Sequence, residues 1–260
     1  MIFLTSQPLW FLGILVALAT LLAMAGPAVV RRYVGLNRLA TNNEVAGFKF
    51  ATLGVLYAVL LAFVVIVVWE KFNDAENAVA QEAGAAATIY RLADGIGGAP
   101  GAALHGRLSD YAAIAIAQDW PAMEQGRLSP AGNRALDNLY AAVLAVQPGD
   151  RREAGLQTEI LHQLGVLTQA RRDRLVMASG AVPDVIWFVL FGGALLTVGF
   201  TFFFGARNLR AQIAMTGMLA AMIFSTLFVV VAIDRPFAGS VKVTPDALSY
   251  VLADFSKAKP

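Results

Sequence analysis

The sequence predicts an all-α integral membrane protein with four transmembrane helices, and two observations indicate this fold class. Of the 260 residues, 58% are hydrophobic and 15% are charged, a balance that is too apolar for an ordinary soluble domain. Four stretches without Asp, Glu, Lys or Arg are also long enough to cross a bilayer as helices. They cover residues 9–30, 50–69, 185–206 and 211–233. Soluble helices of this length would keep a polar face.

Composition also narrows the range of functions. A net charge of +2 gives no reason to expect a nucleic-acid partner. The chain contains no cysteine, which excludes disulfides, thiolate metal sites and a cysteine nucleophile. His105 and His162 lie far apart in the sequence, and the acidic residues show no metal-ligand spacing. We therefore expect no enzyme activity, no cofactor and no metal site.

The four spans are predicted to form two hairpins, over residues 1–69 and 184–233. The short loops of these hairpins hold six basic residues, which are Arg31, Arg32, Arg38, Lys49, Arg207 and Arg210. The positive-inside rule places both loops in the cytoplasm. In a cell inner membrane, the segment between the hairpins and both termini then lie outside.

Between the hairpins, residues 70–183 are predicted to form a helical extramembrane domain. Span two continues into this domain as one long helix, because neither Gly nor Pro occurs between Gly54 and Gly84. Beyond the membrane a seam with one polar member recurs at spacings of three and four, formed by Trp69, Phe72, Glu76, Val79, Ala83, Ala86 and Tyr90. We expect this seam to pack against a returning helix over residues 150–179.

Capping signals predict the other helices of this domain. A short helix is expected over about residues 102–117, and another begins with Ser129 as its N-cap and Pro130 at its first position. The returning helix opens with Asp150 and Glu153 in capping-box spacing.

Two further segments carry recognisable patterns. The glycine-rich run 95–101 follows a helix rather than a strand and lacks the Lys-Ser/Thr ending of a phosphate loop, so it predicts a turn. The tail, residues 234–260, is predicted to add a short amphipathic helix with Thr244 as its cap.

One face of span two consists of small residues at spacings of three and four, namely Gly47, Ala51, Gly54, Ala58 and Ala62. Such a row lets two helices approach closely in lipid. It also suits the wall of a pore if several subunits present this face to a common axis. Span four has a comparable row that starts at Gly217, for which we expect close packing.

Polar residues gather at both ends of the spans. At the inner end these are Asn43, Glu44, Lys49, Arg207 and Arg210, and at the outer end Trp69, Glu70, Asp184, Trp187, Asp234 and Arg235. Tryptophan and basic side chains commonly anchor helix ends at membrane interfaces. Acids are not anchors, so these positions are candidates either for structural ion pairs or for charged rings at the mouths of a pore.

Several short motifs together resemble the bestrophin-like domain family, over nearly the whole chain after about residue 40. They are Asn43-Glu44-x-Ala46-Gly47-Phe48-x-Phe50-Ala51, the run Gly54–Phe63, Trp69-Glu70, Asp119-Trp120-Pro121-x-Met123, Arg171–Leu175 and Asp234-Arg235-Pro236-Phe237-x-Gly239. The resemblance implies similarity to bestrophin anion channels, with two membrane hairpins, a helical domain between spans two and three, and a multimeric pore lined by span two.

The expected function is therefore an ion channel or channel-like pore, selective for anions, that forms a homo-oligomer in the lipid bilayer and takes small inorganic ions. The alternative is a non-conducting membrane scaffold or envelope sensor that acts through its helical domain. Three departures from the family pattern matter. Span two lacks the aromatic neck of bestrophin channels, since of Phe48, Phe50, Tyr57 and Phe63 only Phe63 lies deep in the apolar run. The helical domain of bestrophins is cytosolic, whereas the charges here favour the outside, and the acidic clusters that bind calcium in bestrophins do not occur in this sequence.

Overall fold

The structure, a computed structural model, describes residues 8–257, and all regular structure within that range is helical. These residues divide into two compact units. The first, here the membrane unit, consists of the residues up to Glu70 together with Gly180–Asp234. The second, here the helical domain, consists of Lys71–Ser179 and the residues from Arg235 onward. Residues 1–7 of the predicted first hairpin and residues 258–260 of the predicted tail lie outside the described residues.

The membrane unit holds four helices that are long and apolar enough to cross a membrane. Helix α1 is Leu9–Tyr33, and the short α2 is Leu36–Ala40. Helix α3, Asn43–Ile96, begins in this unit and ends in the helical domain. Its 54 residues make it about 80 Å long at 1.5 Å per residue.

The last two candidate spans follow the helical domain in the sequence. Helix α8, Asp184–Phe200, continues as a 3₁₀ turn to Phe203, so this span ends three residues before the predicted residue 206. The fourth span, α9, is Leu209–Ile233. It begins at Asn208, whose side chain accepts hydrogen bonds from the backbone N–H groups of Arg210 and Ala211.

Small residues allow the membrane helices to approach closely. A Cβ added at Gly217 of α9 would lie 2.8 Å from Cγ of Met24 on α1, and one at Gly26 would overlap the ring of Phe202. The close packing expected of the row that starts at Gly217 is confirmed at that residue. Helix α3 is held to α8 by Tyr57, whose hydroxyl donates to the carbonyl of Leu190 at 3.0 Å.

The helical domain holds the end of α3 and five further helices. These are α4 (Gly98–Ile114), α5 (Trp120–Glu124), α6 (Pro130–Leu144), α7 (Arg151–Met177) and α10 (Asp246–Lys257). A π-helical turn, Ala115–Asp119, joins α4 to α5. The chain turns at Gly97 and Gly98, where φ is +67° and +56°, so α4 begins four residues before the predicted start.

The predicted caps of α6 and α7 are present. Oγ of Ser129 accepts a hydrogen bond from the backbone N–H of Ala131. Asp150 accepts one from the N–H of Glu153, whose carboxylate in turn accepts from the N–H of Gly149. The start of α10 differs from the prediction: its first residue is Asp246, and the hydroxyl of Thr244 donates to the carboxylate of that aspartate.

The apolar face of α10 packs into the domain core through Leu248 and Phe255, both buried. Four of the seven predicted seam residues on α3 are buried, namely Val79, Ala83, Ala86 and Tyr90, and Phe72 is half-buried. The predicted polar member of the seam, Glu76, and its first member, Trp69, are exposed instead. The acid buried on this side of the helix is Glu82.

Candidate functional site

The small-residue face of α3 is uncovered within a single chain. The positions where a Cβ would stand at Gly47 and Gly54 have no other atom within 4 Å. Ala51, Ala58 and Ala62 are exposed. This row therefore makes no close contact with another helix of the same chain.

The buried side of α3 lies elsewhere on its circumference. Tyr57, Leu61, Val64 and Val68 are buried within the membrane unit, at spacings of four, three and four. Much of the remaining surface carries large exposed apolar side chains, among them Phe48, Val55, Leu56, Phe63 and Ile66. Span two thus presents one buried side, one uncovered narrow stripe of small residues and a broad bulky apolar surface.

At the predicted inner end, Asn43 has a structural contact. Its side-chain amide donates to the carbonyl of Gly205 at 3.0 Å and accepts from the backbone N–H of Gly205 at 2.9 Å. This pair of bonds holds the start of α3 to the segment that follows α8. Glu44, Lys49, Arg207 and Arg210 are exposed.

At the predicted outer end, two of the six residues are buried. Asp234 is 2% exposed, and one of its carboxylate oxygens accepts hydrogen bonds from the backbone N–H groups of Ala181 and Val182, both at 2.9 Å. A Cβ added at Gly180 would lie 2.8 Å from the other carboxylate oxygen. Asp234 therefore supplies the acceptor for two backbone N–H groups in the non-helical segment that precedes α8.

The other outer residues differ in exposure. Trp187 is buried and stacks on Phe191 with ring centroids 5.7 Å apart. Trp69, Glu70 and Asp184 are exposed. Arg235, which belongs to the helical domain, is half-buried, and its Nε has no hydrogen-bond partner within the described residues.

A buried charged cluster, which the sequence did not predict as a site, occupies the middle of the helical domain. It consists of Glu82 from α3, Asp119 from the π-helical turn, and Arg171 and Arg174 from α7. Arg174 is 0% exposed and forms a two-bond contact with Glu82, at 2.6 Å through Nε and 2.9 Å through Nη2. The same guanidinium reaches Asp119 at 3.3 Å. Two cations thus meet two anions, which leaves the cluster neutral.

Neighbouring side chains complete the cluster. The hydroxyl of Tyr111 donates to Glu82 at 2.5 Å. Burial, followed by the charge of Glu82, raises the pKa of Tyr111 well above its usual value, so this hydroxyl stays protonated and remains a donor. Burial, the largest single effect, lowers the pKa of Arg174, but Glu82, Tyr111 and Asp119 together outweigh burial and raise it, so the guanidinium stays charged.

Arg171 and Gly132 close the cluster on the side of α6. Arg171 donates to Asp119 at 3.2 Å and to the side-chain oxygen of Asn133 at 2.9 Å. A Cβ at Gly132 would overlap a carboxylate oxygen of Asp119 and lie 2.6 Å from Nη2 of Arg171. Only glycine fits at this position without displacing the ion pair.

Aromatic and sulfur contacts link the cluster to the tail. The guanidinium carbon of Arg174 lies 4.4 Å from the ring centroid of Trp120, in a cation–π contact. Trp120 in turn contacts Phe237 edge to face, and Met123 lies 3.4 Å from Nη1 of Arg174. Three of the motifs that carry the family resemblance therefore converge here: those around Asp119, around Arg171 and around Phe237.

The cluster is suited to holding helices together rather than to catalysis. Its acids are paired with guanidinium groups, and it contains no nucleophile with an adjacent base. Within residues 8–257, no group of three or more His, Asp or Glu side chains could hold a metal ion. The sequence signal that could have revealed the cluster is Glu82 itself, an acid in a stripe of buried alanines on α3.

With this geometry established, comparison with known proteins places the chain. The sequence profile of the bestrophin-like domain matches residues 17–248. The chain belongs to the bestrophin-like domain family. A search of curated proteins found no significant match to this bestrophin-like chain.

Solved structures share its fold. Two crystal structures of a bacterial bestrophin homologue from Klebsiella pneumoniae, each with a single mutation, match with TM-scores of 0.75 and 0.73. They are 14% and 17% identical to this chain in sequence. Each match covers 93% of this chain, and 99% and 98% of the two homologue chains respectively. A crystal structure described as a membrane protein is 18% identical, with a TM-score of 0.71 over 94% of this chain and 100% of that one.

Proposed function

We propose that this bestrophin-like protein assembles into a homo-oligomeric pore in the inner membrane that conducts small inorganic anions, lined by the small-residue face of α3. The observation that carries the proposal is the uncovered stripe of Gly47, Ala51, Gly54, Ala58 and Ala62. A helix exposed to lipid on all its free surface has no need of a narrow small-residue row, whereas subunits arranged around an axis use one. Family membership supports the same conclusion.

The exposed basic residues at one end of the membrane unit support anion selectivity. Lys49, Arg207 and Arg210 have no carboxylate within 4 Å in the described part of the chain. Cations at the mouth of a pore raise the local anion concentration. At the opposite end, Trp69, Glu70 and Asp184 are the candidates for the other mouth, because Trp187 and Asp234 are buried.

Chloride flux from liposomes tests the proposal directly. Purified protein reconstituted into chloride-loaded vesicles is expected to release chloride in proportion to the protein added, and to pass potassium more slowly than chloride. Empty vesicles processed in parallel give the background. Vesicles that release no chloride above background over a range of pH, voltage and membrane tension would rule out the pore. The alternative function, a non-conducting scaffold or envelope sensor, would then remain.

Membrane orientation is a separate proposal with its own test. From the six basic residues of the two short loops we infer that those loops are cytoplasmic and that the helical domain is outside. The chain has no native cysteine, so single cysteines can be labelled cleanly. On intact cells, an impermeant thiol reagent is expected to label Gln147→Cys, an exposed position between α6 and α7, and to leave the exposed Arg38→Cys unlabelled. Labelling of Arg38→Cys alone would show that the orientation is the opposite one. Permeabilised cells serve as the control, because both cysteines should then react.

A further inference from the structure

A groove beside the basic end of the membrane unit has polar side chains in its lining, whereas three other cavities of that unit are lined by apolar residues alone. It has a volume of about 390 Å³. Its polar lining consists of Asn43, Thr201, Gln212 and Thr216, and the aromatic and aliphatic side of the lining includes Phe50 and Met215. The groove is therefore amphipathic, with polar groups and apolar walls in one concavity.

The polar part of the groove is rigid. Both amide atoms of Asn43 bond to the backbone of Gly205, and the side-chain amide of Gln212 donates to the carbonyl of Phe204 at 2.7 Å. The hydroxyls of Thr201 and Thr216 lie 3.2 Å apart in a hydrogen bond. The apolar part is accessible, since Met215 is 60% exposed.

Four cations contact the lining of the groove or lie within two residues of it in the sequence, and one exposed acid, Glu44, directly follows the lining residue Asn43. The guanidinium of Arg31 donates to the carbonyl of Ala206, a lining residue, at 3.3 Å. Arg207 directly follows Ala206, Arg210 lies two residues before Gln212, and Lys49 directly precedes Phe50. None of these four cations has a carboxylate within 4 Å among residues 8–257. The N-terminus of α9 lies at the same place and adds the positive end of its helix dipole.

We propose that this groove binds an anionic phospholipid, with its phosphate at Arg207 and Arg210 and part of an acyl chain against Phe50 and Met215. Charge complementarity selects this occupant. A second copy of the chain bound through the same face would bring the same unpaired cations to the contact and be repelled, whereas an anionic lipid supplies both the missing negative charge and an apolar tail. A zwitterionic lipid carries no net charge to match the cations.

Native mass spectrometry of the purified oligomer, with graded amounts of phosphatidylglycerol or phosphatidylcholine of identical acyl chains, tests the proposal. Phosphatidylglycerol is expected to remain bound at lower concentration than phosphatidylcholine. In the double variant Arg207→Gln/Arg210→Gln its apparent affinity is expected to fall by about 25-fold, since each cation near an anionic lipid contributes about a fivefold factor. Met215→Trp, which fills the apolar part of the groove, is expected to weaken binding with the cations intact.

The matched control is Arg32→Gln/Arg38→Gln. It removes two exposed cations from the same end of the unit at positions five or more residues from any lining residue in the sequence, and it is expected to bind phosphatidylglycerol like the wild type. Equal retention of the two lipids, or an equal loss in the control, would overturn the proposal. So would dissociation of the oligomer by Met215→Trp, which would assign the groove to a neighbouring copy. The measurement records bound lipid and not ion flux, so its outcome is independent of whether the protein conducts.

Discussion

Replacing Arg174 by methionine is expected to destabilise the helical domain by about 3–5 kcal/mol, the usual cost of removing one partner from a buried ion pair. Arg174 is fully buried and contacts both acids of the cluster, at 2.6 and 2.9 Å to Glu82 and 3.3 Å to Asp119. Without it, Glu82 keeps the hydroxyl of Tyr111 as its one side-chain hydrogen-bond donor among the described residues. An uncompensated carboxylate is then left in an apolar interior. For a chain of this size, the loss corresponds to a fall in Tm of about 6–20 °C.

Thermal unfolding in detergent measures this effect, with two comparisons that isolate its cause. Arg172→Met changes the same residue type to the same side chain at an exposed position of α7, so it is expected to leave the Tm nearly unchanged. The double variant Glu82→Gln/Arg174→Met removes the orphaned charge and is expected to recover part of the loss. A Tm of Arg174→Met equal to that of Arg172→Met would mean that the cluster contributes nothing to stability.

The membrane helices and the long helix could be predicted from the sequence because their signals are local. A long apolar stretch is enough to predict a span. In lipid the backbone N–H and C=O groups must be hydrogen-bonded within the protein, and a helix does this within the stretch itself. Helix α3 runs unbroken through Gly84, where an added Cβ would meet no other atom. It ends at Ile96, directly before Gly97 takes a positive φ. A helix that contains no proline and ends at a glycine is predictable from those residues alone.

The buried cluster could not be predicted in this way, because its members are brought together only by tertiary packing. Glu82 and Arg174 are separated by 92 positions in the chain. Each lies on a helix whose other charged residues are largely exposed, and a charged residue on such a helix is normally solvated. Asp234 is a similar case: its sequence context resembles a membrane-end charge, but its carboxylate binds the backbone of Ala181 and Val182.

The small-residue face of α3 was recognisable as a pattern, but the sequence left its role open between packing and a pore wall. The structure argues against close packing with another helix of the same chain, because nothing covers the Cβ positions of Gly47 and Gly54. In the proposed oligomer two roles remain for this face: contact between copies, or the wall of an axis that the copies enclose. Bulk introduced on this face distinguishes the two, because a tight interface and an open path respond differently to a large side chain.

Ala58→Phe is expected to abolish chloride flux while the oligomer keeps its wild-type size. Ala58 is exposed near the middle of span two, away from the polar residues at its ends. A phenyl ring there projects into the proposed path and narrows it. The matched control is Leu56→Phe, which places the same ring at nearly the same depth, about 160° around the helix at 3.6 residues per turn. Leu56 is 67% exposed on the bulky apolar surface, so this variant is expected to conduct like the wild type. Flux is measured from chloride-loaded liposomes and oligomer size by light scattering of the same preparations. Normal conduction by a correctly assembled Ala58→Phe protein would remove this face from the conduction path, and failure of that variant to assemble would make the face a contact between subunits.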